Sequence, residues 1–162
     1  MPRVYISIGS NIERAANIRA GVAVLRECFG DLVISSVYES QPVGFDGDNF
    51  YNLVVGFDTT QEVHDVNARL HDIEHHHGRI RNGQRFNSRT LDLDLLTYGD
   101  AVIHEHGLTL PRDEILRYAF VLQPLAEIAG DEKHPPNGKS YAVLWHEFEK
   151  RPQPLWAVSF EW

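Results

Sequence analysis

Between Val4 and Tyr98 the apolar residues change their spacing in a fixed order, and that order leaves few folds open. Val4 to Ile8 is a short β-rich run halted by the turn-forming triplet Gly9-Ser10-Asn11. Ile18, Val22, Leu25 and Phe29 then recur near helical spacing, with Gly30 placed to end the helix. Leu32 to Tyr38, interrupted by Ser35 and Ser36, and Phe50 to Phe57, rich in Val and aromatics, read as strands. From Gln61, with Thr59 or Thr60 as N-cap, Val63, Val66, Leu70 and Ile73 line a second helix that ends near Gly78. Leu91 to Tyr98 is a further strand, closed by Gly99-Asp100. The order β-α-β-β-α-β predicts an α+β, ferredoxin-like core: a mostly antiparallel sheet with helices on one face and the other face open for a site. That topology hosts many unrelated functions, so the chemistry has to come from particular residues.

Downstream, Pro111 and the periodic Ile115, Tyr118, Leu122 and Leu125 predict more helical turns. Pro135-Pro136-Asn137-Gly138 is a turn, and Leu155 to Trp162 reads as an edge strand or packed coil in a C-terminal extension. With 162 residues, 43% hydrophobic and 23% charged, the chain is expected to form a single domain over 1–162 without disulfides or structural metal. Cys28 is the only cysteine; it reads as a buried helix residue, and no intrachain disulfide or thiolate zinc site is possible. The N-terminus turns polar by Ser7, too early for a signal-peptide apolar core, and no run reaches membrane-spanning length. A cytoplasmic setting is expected.

The chemistry concentrates at Arg89-Thr90-Leu91-Asp92-Leu93-Asp94. A strand here turns both carboxylates to one face and the leucines to the other, where the Asp pair can sit against a divalent cation. Arg79, Arg81, Arg85 and Arg89 gather positive charge just upstream, in a chain whose formal net charge is -8. Arginine forks match phosphate oxygens, and Mg²⁺ is usually held by one or two carboxylates plus substrate phosphates, so the combination points to a polyphosphate. The acidic balance argues against broad contact with nucleic acid and favours a small anionic ligand. Residues 39–49, with Pro42, Gly44 and Gly47, form a solvent-facing loop suited to a lid. His75, His76 and His77 splay about 100° apart on a helix and cannot converge on one ion; His71 and His75 have i, i+4 spacing but lack a third ligand.

Five separated motifs in order, Ile8-Gly9-Ser10-Asn11, the loop from Pro42 to Asn52, Gly78-Arg79-Ile80-Arg81, Arg89 to Asp94, and Ala119-Phe120-Val121-Leu122, resemble the 6-hydroxymethyl-7,8-dihydropterin pyrophosphokinase family from about residue 4 to residue 130. The resemblance implies transfer of the β,γ-pyrophosphoryl unit of ATP to a pterin hydroxymethyl oxygen, a step of folate biosynthesis. It implies that Asp92 and Asp94 hold two Mg²⁺ ions and that Arg79 and Arg89 contact phosphates as catalytic cations. Arg81, Glu74, Thr109 and Arg112 are implied on the ATP side. Asn52 is implied to hydrogen-bond the pterin, Phe50 and Phe120 to sandwich it, and Ser40, Gln41 and Val43 to line it from the loop. The chain departs from the family pattern at Phe86 and Asn87, where Trp and Gly are usual, at Arg112 for His, and at Tyr118 for Arg. Alternatives that stay open are a related pyrophosphokinase for a modified pterin and a non-catalytic ferredoxin-like module binding nucleotide or RNA. The expected partners are otherwise small molecules, with no nucleic acid and no membrane.

Overall fold

The computed structural model describes residues 1–77, 90–105 and 107–162. In chain order these form β1 (Arg3–Ser10), α1 (Arg14–Phe29), β2 (Val33–Ile34), β3 (Val37–Ser40), β4 (Phe50–Asp58) and α2 (Val63–His76), then β5 (Asp92–Tyr98), β6 (Ile103–Glu105) and β7 (Leu108–Leu110). The helices α3 (Glu114–Arg117), α4 (Ala119–Ala129) and α5 (Tyr141–Glu147) follow, and β8 (Leu155–Val158) completes the chain of elements. The main sheet runs β5-β1-β4-β3-β8, with β2 also on β4, and every pairing in it is antiparallel. The order β5-β1-β4-β3 is that of the expected ferredoxin-like core, and β8 adds the C-terminal extension as an edge strand.

Alternation divides each strand between two cores. Val4, Ile6 and Ile8 of β1, Leu53, Val55 and Phe57 of β4, and Leu93 and Leu95 of β5 join Ile18, Val22 and Leu25 of α1 and Val66, Leu70 and Ile73 of α2 in one buried cluster. Phe29 closes it by stacking on Phe57 at 4.3 Å between ring centres. Each such side chain contributes about 1.5–3 kcal/mol on burial. On the other face Tyr5, Val54 and Leu96 pack with Ile115, Val121, Leu122, Leu125 and Tyr141. Within the core α1 and α2 share one face, as expected; α4, from the segment after the core, buries its apolar stripe on part of the second face and leaves the rest open.

The start of α2 also differs from expectation. Its N-cap is Glu62, whose side chain makes no capping hydrogen bond, because the Thr59 hydroxyl accepts from the Gln61 backbone N–H (3.0 Å) in a turn ahead of the helix. Cys28 is half-buried at the edge of the first core. No described helix is long and apolar enough to cross a membrane.

At Gly56 the sheet leaves room for the Tyr5 ring from the facing position on β1. A Cβ there would lie 2.6 Å from Tyr5 Cε1, and the ring cannot slide away because its hydroxyl donates to the Glu132 carboxylate. Gly56→Ala is expected to lower unfolding free energy by roughly 1–3 kcal/mol in urea titration. An unchanged midpoint would contradict this packing.

Candidate active site

The open part of the second face owes its composition to strand register. Gly9 of β1 pairs with Asn52 of β4 on one side and with Asp92 of β5 on the other. Ser7 likewise lies between Val54 and Asp94. Side chains of these residues share one face, as alternation requires, while Leu93 and Leu95 point into the opposite core. Neighbouring strands lie about 4.8 Å apart, so an amide and a carboxylate stand roughly 10 Å from each other across a residue with no side chain. A Cβ on Gly9 would come within 3.0 Å of Asn52 Oδ1 and 3.7 Å of Phe50 Cδ1. Glycine here keeps the floor clear.

Over this floor lies a cavity of about 520 Å³. Its walls include Asp92 and Asp94 on one side and Phe50, Asn52 and Phe120 on the other, with Ser40, Gln41 and Val43 at the mouth of the loop. The sequence assignments for the carboxylate pair, the amide and the two phenylalanines thus fall in a single concavity. Asn52 is buried, and its Nδ2 donates to Ser40 Oγ at 2.7 Å. That bond uses one amide donor on the protein and orients the side chain for a ligand edge. Phe45 from the loop meets Phe50 edge to face at 6.3 Å, and Tyr118 stacks on Phe120 at 5.0 Å with 16° between the planes.

The loop is tied down at its far end. Asn11 Nδ2 donates to the Asp48 carbonyl (3.1 Å), and Arg14 donates to the Asn49 carbonyl (3.0 Å) while its guanidinium lies 3.8 Å over the Tyr51 ring and 3.3 Å from Glu39. The Asn11 of the first motif therefore holds the aromatic-bearing loop against β1.

Arg112 enters the cavity because its backbone N–H donates to the Leu96 carbonyl (2.9 Å), docking the segment after β7 along β5. Its guanidinium sits 3.5 Å from Asp94 and forms a close ion pair with Glu114. Burial opposes its charge, but the carboxylates of Asp94, Glu114 and Asp92 outweigh that and hold it above the ordinary arginine range. The Arg112 and Asp94 side chains remain 37% and 33% exposed, so their mutual attraction is weak and readily exchanged for another partner.

Glu74 and Thr109 are not among the lining residues. Thr109 pairs with His104 in the β6–β7 hairpin. Glu74 is buried, and its Oε2 accepts the Leu93 backbone N–H at 2.7 Å. It thereby satisfies an edge-strand donor midway between Asp92 and Asp94. Arg79, Arg81, Arg85, Phe86, Asn87 and Arg89 lie outside the described residues. Among the described residues no group of three or more His, Cys, Asp or Glu is arranged to hold a metal. Sequence reasoning missed Ser7, Gly9, Phe45, Glu114 and Arg117 as cavity residues. Phe45 carried a signal, as the one large aromatic in a Gly- and Asp-rich loop; Glu114 carried none before Arg112 was placed.

Residues 5–130 match the family described as 7,8-dihydro-6-hydroxymethylpterin-pyrophosphokinase (HPPK). The chain belongs to this family. Among relatives, a 2-amino-4-hydroxy-6-hydroxymethyldihydropteridine pyrophosphokinase of Methylorubrum extorquens is 38% identical over 135 residues, covering 81% of this chain and 85% of that one. The similarly named protein of Pseudomonas aeruginosa is 35% identical over 140 residues, covering 82% and 84%. A folic acid synthesis protein of Pneumocystis carinii is 35% identical over 150 residues, and the match spans 91% of this chain but only 20% of that protein. The HPPK fold extends to a solved wild-type HPPK-DHPS structure from Plasmodium falciparum, with a TM-score of 0.70 at 14% identity, covering 93% of this chain and 45% of that one.

Proposed function

We propose that this member of the HPPK family transfers the β,γ-pyrophosphoryl unit of ATP to the hydroxymethyl oxygen of a 6-hydroxymethyl-7,8-dihydropterin, in folate biosynthesis. The observation that carries the reading is the row Asn52, Gly9, Asp92, which sets a ring-recognising amide and a carboxylate pair on one open floor. In the reaction the pterin oxygen bonds to the β-phosphorus, the bond from that phosphorus to the bridging oxygen of the α-phosphate breaks, AMP leaves and the hydroxyl proton is released.

The residues divide the work. Phe50 and Phe120 take the two faces of the flat ring, Asn52 takes its polar edge, and Ser40, Gln41 and Val43 close the loop side. Asp92 and Asp94 are hard oxygen donors on one face, which fits Mg²⁺ with substrate phosphates completing its shell. When bound, two Mg²⁺ ions would neutralise phosphate charge and acidify the attacking hydroxyl. Among the described residues no histidine or lysine lines the cavity to take the proton instead. Arg112 exchanges its contact with Asp94 for a phosphate oxygen; Arg79, Arg81 and Arg89 are assigned to ATP by their place in the family motifs, and Thr109 by the family resemblance. Glu74 supports this side by fixing the strand that carries both aspartates. We further propose that residues 1–162 act as one pyrophosphokinase unit on small-molecule substrates in the cytoplasm.

Chromatography of nucleotides after mixing the protein with ATP, Mg²⁺ and the reduced pterin tests the proposal. AMP is expected as the nucleotide product, with formation abolished by a chelator. ADP as the product, or binding of both compounds with no AMP, would refute it.

A further inference from the structure

Gln153 lies in the C-terminal extension, beyond the 5–130 segment that defines the family match. We infer that Gln153 is a positioning residue that sets the Tyr118–Phe120 wall of the cavity; the inference rests on the pterin reading of that cavity. The helices α3 and α4 are consecutive and would be one rod except at Tyr118, whose backbone is extended (φ −120°, ψ 124°). The Gln153 side-chain amide spans this break. Its Oε1 accepts the Ala119 N–H at 2.9 Å, and its Nε2 donates to the Arg117 carbonyl at 2.8 Å.

A primary amide offers one donor and one acceptor in a plane, as a peptide group does, so Gln153 pairs with the chain on both sides of Tyr118 much as a neighbouring strand would. It also satisfies one of the amide donors that the first turn of α4 leaves without an intrahelical partner. Gln153 is itself held: its N–H donates to the Lys150 carbonyl (3.0 Å), and Lys150 Nζ donates to the carbonyls of Trp145 (2.6 Å) and Phe148 (3.1 Å). The clamp is therefore anchored to the end of α5.

The consequence reaches the cavity through Tyr118. Arg117, Tyr118 and Phe120 all line it, and the Tyr118 ring lies nearly parallel to Phe120. Consecutive residues on a helix turn by about 100°, so letting the break relax into helix would swing Tyr118 off Phe120 and loosen the surface proposed to stack on the pterin. Nucleotide contacts on the Asp92 and Asp94 side have no part in this clamp.

Gln153→Ala and Gln153→Glu separate the possibilities. In Gln153→Ala the nuclear Overhauser contact between the Tyr118 and Phe120 rings is expected to disappear, and KM for the pterin to rise roughly tenfold, as expected for about 1.4 kcal/mol of lost binding. KM for ATP is expected to stay within about twofold, because the phosphate side is untouched. Gln153→Glu keeps an acceptor for Ala119 but loses the donor to Arg117, and is expected to fall between. A retained ring contact with unchanged pterin KM would overturn the assignment, as would equal rises in both KM values together with a lowered melting temperature. If the wild-type protein forms no AMP, the pterin reading fails on its own, and the ring contact still decides whether Gln153 sets the wall.

Discussion

Replacing Asp94 with alanine is expected to leave a folded protein whose AMP formation falls by about 10³-fold, the scale seen when a group stabilising transition-state charge is removed. The fold should survive because Asp94 lies on β5 at the edge of the sheet with its side chain one-third exposed, and its leucine neighbours carry the packing. Arg112 retains Glu114 as a partner, so no buried charge is stranded. Activity should not survive, because one carboxylate cannot replace a pair in holding cations against a triphosphate. Asp94→Asn separates charge from shape: it preserves the side-chain outline, and a comparable loss would place the effect on the carboxylate charge. Circular dichroism and a coupled AMP assay measure the two halves. Near-normal turnover in either variant would remove Asp94 from the chemistry.

Removing the Phe120 ring is expected to weaken pterin binding by roughly 30- to 160-fold, because stacking and burial of one aromatic together are worth about 2–3 kcal/mol. Phe120 sits at the start of α4 with part of its surface on the cavity, so truncation opens space toward the ligand more than it hollows the core. ATP binding is expected to change little. Calorimetric titration of Phe120→Ala with each substrate compares them directly, and equal losses for ATP and pterin would contradict the sandwich.

Much of this arrangement is legible in the chain because period and packing agree. Asp92 and Asp94 alternate with Leu91, Leu93 and Leu95, and a two-residue period leaves no other way to bury three leucines. The α1 and α2 stripes are equally direct. The hairpin of β6 and β7 was not expected, since three-residue strands are too short to display a period. The support that Glu74 gives to β5 was not legible, because periodicity cannot reveal that α2 lies along a sheet edge with an N–H to satisfy. Tyr118 fits the helical stripe of Ile115, Leu122 and Leu125, yet its backbone is extended and its ring faces the cavity. The cause is Gln153, 34 residues from Ala119, and no local signal reports a contact at that separation.

In the proposed reaction a pyrophosphoryl unit passes whole from ATP to the ring-borne alcohol across the floor between Asp92 and Asn52. ATP labelled at its β-phosphorus, incubated with the protein, Mg²⁺ and 6-hydroxymethyl-7,8-dihydropterin, follows that unit directly. The label is expected in a pterin diphosphate formed in equal amount with AMP; label in free pyrophosphate, or remaining with the nucleotide as ADP, would contradict it.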